Sequence, residues 1–214
     1  MTTFSILLLC LSWIVYFALH SLLASLQFKD FITLRWPNIM PAYRLLFNGI
    51  AIVLLAIPLT IQYHYAQEHL WQWTGVSAIV SNGLAVSAML VFFWTLKYYD
   101  SSDFSGLKQL REGIAEAKDY QHFTLSPLHH YVRHPWYFLI LIILWTRSMD
   151  EARLISSVLI TAYFFLGSWL EENKLIIYHG DIYRNYRNKV PAIIPMPWKY
   201  LKKSEQLDGS GSNL

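Results

Sequence analysis

Long apolar runs limit what this chain can become. A helix that crosses the hydrocarbon core of a bilayer needs roughly 20 apolar residues, because its backbone N–H and C=O groups must pair without water. Residues 4–26, 43–61 and 76–98 each meet that requirement. Two more runs, 136–149 and 152–177, are separated only by the DEAR stretch at 150–153. A connection that short forces an antiparallel helical hairpin. The first arm of the hairpin is short for a crossing by itself. The second, about 26 residues, would rise roughly 40 Å and carry Glu171, Glu172 and Lys174 to the interface or beyond.

Composition agrees. Hydrophobic residues make up 55% of the 214, and charged residues only 14%, well under the roughly 25% of an ordinary soluble domain. The fold expected is an all-α integral membrane protein with about five transmembrane helices, a tight hairpin of spans four and five, and a C-terminal helical cap. Residues 1–200 form one membrane-embedded domain, three spans in 1–98 and the loop, hairpin and cap in 99–200. The tail at 201–214 is polar and Gly/Ser-rich, and reads as a disordered end or an expression scar. The first run lacks a basic flank and is too long for a signal-peptide core, so it reads as a retained helix.

Basic residues set the orientation through the positive-inside rule. Lys29, Arg35 and Arg44 lie between spans one and two, and none lies between spans two and three. Lys108, Arg111, Lys118 and Arg133 lie between spans three and four, and six more follow span five. The alternation puts the N-terminus outside and the C-terminus in the cytoplasm. A net charge of +3 gives no support to nucleic-acid binding. Cys10 is the sole cysteine, so no intrachain disulfide forms, and no His/Cys spacing suggests a metal. No Gly-rich nucleotide loop or hydrolase motif occurs. His20 inside the first run is read as satisfied by a neighbouring helix.

Polar chemistry concentrates where apolar helices begin and end. In RHPWY, Pro135 suits the first turn of a helix and pushes His134 out of the α region. Arg133 and His134 then stand beside the partially positive start of that helix, a suitable place for an anion. In EENKLIIYHGDIYRNYRNKVPAIIP, Glu171 and Glu172 end an apolar helix, and Gly180 can stop it with a positive φ. Asp181 then caps a short second helix. On it Tyr183, Tyr186 and Arg187 fall at i, i+3 and i+4 and share a face. Pro191 and Pro195 force an extended exit. A third polar stretch at 98–113 holds Asp100, Asp103, Phe104, Gly106 and Gln109.

These motifs resemble the isoprenylcysteine carboxyl methyltransferase superfamily, whose C-terminal signature runs RHPxY, EExxL, then GxxYxxYxxxVPxxiP. HSLLAS at 20–25, YRLLFN at 43–48 and DFSGLKQL at 103–110 resemble its NnrU and methanethiol S-methyltransferase branch. The resemblance implies S-adenosylmethionine bound at the cytosolic face, in a bacterial inner membrane, and a small thiol or a lipophilic acceptor. It implies a cofactor cradle of His134, Pro135, Tyr137, Glu171, Glu172, Tyr183 and Tyr186. Arg133, Glu172 and His134 would be catalytic, and Arg133, Trp136 and Arg187 would meet the acceptor. Trp136, Phe138 and His179 depart from the pattern, which bears on pocket size. Two other readings share these features: a sterol-reductase-like enzyme using NADPH, and a non-catalytic membrane scaffold or transport subunit. The acidic pair at 171–172 argues against a site for the NADPH 2′-phosphate.

Overall fold

The computed structural model describes residues 1–114 and 126–202. The expectation for a disordered tail therefore falls almost wholly outside the described residues. Among the described residues every regular element is helical, and none is a strand. Helices α1 (Thr3–Ala24), α2 (Leu26–Arg35), α3 (Met40–His64) and α4 (Gly75–Thr95) are followed by two short helices, α5 (Ser101–Ser105) and α6 (Leu107–Glu112). After them come α7 (Pro135–Trp145) and α8 (Glu151–Lys189). Four helical stretches are long and apolar enough to span: Thr3–Ala24, Pro37–His64, Gly75–Tyr98 and Glu151–Lys189. Helix α7 has 11 residues and reaches only roughly 16 Å.

The first apolar run, expected over 4–26, is helix α1, and a separate helix begins where the run stops. Ser25, in an extended conformation, ends α1, and its hydroxyl accepts from Phe28 N–H at 3.2 Å to start α2. Helix α8 breaks at Gly180 (φ 55, ψ −128), where the sequence placed a stop. Asp181 accepts from Arg184 Nη1 at 2.7 Å on the far side of that break.

The chain divides into two compact units. The first holds Met1–Thr74, the described part of 99–123, and Ser148–Leu159. Within it the buried Trp13 indole donates to Ser156 Oγ at 2.8 Å. His20 packs its ring against Tyr16 and Phe47, at 5.8 and 5.2 Å between centroids. Leu70 N–H and Trp71 N–H donate to Met149 O, and Met149 N–H returns to Trp71 O. The polar stretch at 100–109 binds the start of α3. Arg44 Nη1 donates to Asp103 O at 2.7 Å, and Asn48 Nδ2 to Phe104 O and Ser105 O at 3.2 Å. Gly106 (φ 90) lies against α3 so closely that a Cβ would sit 2.7 Å from Leu45 N.

The second unit holds Gly75–Tyr98, 126–147 and the residues from Ile160 to the end of the described chain. Here Trp136 Nε1 donates to Thr95 Oγ1 at 2.9 Å, joining α7 to α4. A 3-10 turn at Pro127–His130 begins with Ser126, whose N–H donates to His129 Nδ1 at 3.1 Å. Burial, helped by the neighbouring imidazoles of His134 and His130, holds His129 down to about 4.

Two predictions follow from this packing. Gly106→Ala should lower the melting temperature in detergent by several degrees, since it adds steric overlap to a backbone cost of about 1 kcal/mol or more. Gly113→Ala, also at positive φ but with open space around its Cβ, should cost visibly less; equal losses would mean the approach to α3 is unimportant. His129 binds a proton near 6.5 when unfolded and only near 4 when folded, so the unfolded state holds more protons in between. Stability should fall as pH drops through that window. Melting curves from pH 7.5 to 4.5 should show a shallower loss in His129→Gln.

Candidate functional site

Glu172 organises the second unit. Its residue is 3% exposed, and a carboxylate so deep must be paired. Glu172 Oε1 accepts from Arg133 Nε at 2.8 Å and lies 2.7 Å from Arg133 Nη2 and 3.1 Å from His134 Nε2. Glu172 Oε2 is 3.3 Å from Arg187 Nε. Three basic side chains therefore meet on one carboxylate, two from the start of α7 and one from beyond Gly180.

Arg133 does more than neutralise. Its Nη1 donates to Arg187 O at 2.8 Å and also to Val190 O. The guanidinium thus holds the last carbonyls of α8, which lack helical partners, and the carboxylate together. The backbone completes the tie: Arg133 N–H donates to Pro191 O and His134 N–H to Ala192 O, both at 2.9 Å. His134 has φ −121 and ψ 70, outside the α region as the following proline requires, and α7 starts at Pro135. Sequence reasoning named Arg133 for its charge. It did not find the carbonyl acceptors, which no residue type announces.

Glu171 has a different setting. Its side chain is 41% exposed. Oε2 accepts from Tyr137 OH at 3.4 Å and lies 3.5 Å from His134 Nδ1; Oε1 has no partner among the described residues. His134 stacks on Tyr137 at 5.2 Å, and Tyr137 on Phe164 at 4.6 Å, both with rings 10° from parallel. A Cβ on Gly167 would lie 4.0 Å from the Tyr137 hydroxyl. Phe164, Gly167 and Glu171 share one face of α8 by helical spacing. That spacing was readable beforehand, but nothing in the motif pointed to Phe164 or Gly167.

Tyr183 and Tyr186, each 1% exposed, pack edge to face at 5.8 Å. Tyr186 OH donates to His129 O at 2.7 Å, so its hydroxyl ties the stretch beyond Gly180 to the turn at Pro127–His130. Trp136 turns to α4, where its ring tilts against Phe92 at 5.3 Å. Arg187 is 37% exposed at its side chain, and its two Nη groups have no partner among the described residues. The arrangement thus has a buried, paired half (Arg133, Glu172, His134 Nε2, Tyr186) and a partly exposed half (Glu171 and Arg187) next to the Tyr137 stack. Asp100 and Asp103 belong to the first unit.

No family model matches the sequence, and no solved structure matches it. Curated proteins do. A methanethiol S-methyltransferase of Crocosphaera subtropica is 29% identical, over 82% of this chain and 69% of its own length. Methanethiol S-methyltransferase 2 of Bradyrhizobium diazoefficiens is 28% identical over 82% and 68%. A methanethiol S-methyltransferase of Mycobacterium tuberculosis is 24% identical over 87% and 76%. The chain is therefore homologous, across most of its length, to proteins named methanethiol S-methyltransferase, the branch that its HSLLAS, YRLLFN and DFSGLKQL stretches resemble.

Proposed function

We propose that this chain is a membrane S-adenosylmethionine-dependent methyltransferase that methylates a small thiol, methanethiol first among them, at the cytosolic membrane face. The observation that carries the reading is the half-open cluster of Glu171, Arg187 and the His134–Tyr137–Phe164 stack, in a chain homologous to proteins of that name. In this reading α7 and the extended residues after it complete a fifth crossing, the N-terminus is outside, and the segment beyond Gly180 forms the cytosolic cap.

The residues present fit the donor. It carries an ammonium, a carboxylate, hydroxyls and a sulfonium. A half-exposed carboxylate whose Oε1 has no partner among the described residues (Glu171) suits the ammonium or a hydroxyl. Guanidinium Nη groups with no partner among the described residues (Arg187) suit the carboxylate. When bound, S-adenosylmethionine supplies an electrophilic methyl group, and the protein's task is chiefly to align the acceptor with it.

Arg133 and Glu172 hold the frame of the pocket. His134 has a carboxylate at each ring nitrogen, so it orients both glutamates rather than taking a proton from the acceptor. The reacting form of a thiol is the thiolate. The partially positive start of α7 favours that anion, and water takes its proton. The apolar flank of α7 and Phe164 keeps bulk water from the acceptor side.

Reconstituted protein given methyl-labelled S-adenosylmethionine and methanethiol should release labelled dimethyl sulfide, and NADPH should neither bind nor be consumed. Absence of product with methanethiol and with longer thiols, from protein that stays folded, would sink the proposal. The two glutamates should separate by their failure. Glu171→Gln should raise the donor KM about tenfold, the equivalent of about 1.4 kcal/mol, with melting unchanged. Glu172→Gln and Arg133→Lys each break the buried pair, so melting should drop by roughly 5–10 °C along with the rate. If Glu171→Gln melts early and Glu172→Gln does not, the assignment of roles is reversed.

A further inference from the structure

After α8 the chain makes a second built feature. Val190 and Ile193 are buried, and Leu201 is buried at the far end of the segment. Between them Ile194, Met196, Trp198 and Tyr200 are all exposed, Trp198 at 75%. The exposure is not that of a loose tail. Lys199 N–H donates to Met196 O at 3.1 Å, closing a tight turn with Pro197 and Trp198 at its corner. Leu201 N–H donates to His130 O at 2.8 Å, and His130 Nδ1 lies 3.0 Å from Leu201 O. Tyr200 stacks on Tyr131 at 6.4 Å. A groove of about 540 Å³ runs between Tyr131, Pro195, Met196, Pro197 and Tyr200. The turn is thus pinned on both sides, with its largest apolar ring held outward.

Its position and charge indicate what meets that ring. Pro191 and Ala192 are hydrogen-bonded to Arg133 and His134, immediately before the apolar helix α7. The turn therefore leaves the protein at the level where α7 begins. Lys199 and Lys202 are exposed beside Trp198 and Tyr200, and 182–202 contains no Asp or Glu. Tryptophan, tyrosine and lysine together are the composition of a membrane–water interface.

We propose that the turn at 196–199 is an interfacial anchor whose partner is the anionic phospholipid headgroup layer of the bilayer the helices span. Trp198 and Tyr200 lie among the headgroups, and Lys199 and Lys202 meet phosphate oxygens, each lysine adding attraction on the order of 1 kcal/mol near a charged surface. The anchor acts on the segment that Arg133 and His134 grip, so lipid charge reaches the pocket through covalent continuity alone. This inference does not depend on the methyl acceptor or the donor.

The test uses the full chain with 5-fluorotryptophan, in nanodiscs of neutral lipid with and without phosphatidylglycerol. The Trp198 fluorine resonance is identified by its loss in Trp198→Phe. A lipid spin-labelled at the headgroup should broaden that resonance beyond detection, more so with phosphatidylglycerol, and a water-soluble gadolinium chelate should leave it sharp. Lys199→Gln with Lys202→Gln should remove the phosphatidylglycerol dependence. Broadening by the chelate alone would place Trp198 in water and overturn the proposal. Protection from both probes would mean that protein covers it, a second copy or the chain's own tail, and would overturn it equally. Identical broadening in neutral and anionic discs would overturn the anionic partner.

Discussion

The buried pair between Arg133 and Glu172 is the constraint on which the second unit depends. A carboxylate at that depth costs several kcal/mol in desolvation unless its neighbours are well placed. Here two nitrogens of Arg133, one of His134 and one of Arg187 surround it. The same guanidinium holds Arg187 O and Val190 O. One side chain therefore fixes the start of α7, the middle of α8 and the chain after α8. Its donors are committed to that task. In the proposed function Arg133 therefore positions, and Glu171 and Arg187 are the groups left to meet the donor.

A short helix raises its own problem. Helix α7 is about half the thickness of a hydrocarbon core by rise, and the residues after it leave helical geometry. In the proposed fifth crossing, exposed backbone after α7 would be costly in lipid. Within the first unit Met149 exchanges backbone hydrogen bonds with Leu70 and Trp71, which pairs that backbone. Within the second unit Arg133 and His134 hold the polar start of α7 beside Glu171 and Glu172.

Much of this was legible in the sequence, for reasons that differ by residue. Spanning helices announce themselves through apolar length, and all four long ones lie where the runs do. Pro135 and Gly180 announce a helix start and a helix break because few other residues suit those dihedral angles. Residues 171–172 and 183–187 were recognisable by charge and spacing. What stayed hidden was set by tertiary contact. Helix α2 begins just past the first apolar run because the Ser25 hydroxyl caps it, a start that composition does not reveal. Phe164 and Gly167 join the site only because Tyr137 faces them. The difference in burial between Glu171 and Glu172 is one that two adjacent identical letters cannot express.

The break at Gly180 has a consequence for how the chain can vary. It joins two helical pieces at a fixed angle, and each piece turns by about 100° per residue. Glu172 lies on one piece; Tyr183, Tyr186 and Arg187 lie on the other. Swapping side chains there changes local contacts, whereas adding or deleting one residue on either side would swing Arg187 away from the carboxylate and Tyr186 away from the His129 carbonyl together. Evolution can rewrite the letters of this stretch more freely than it can change their number.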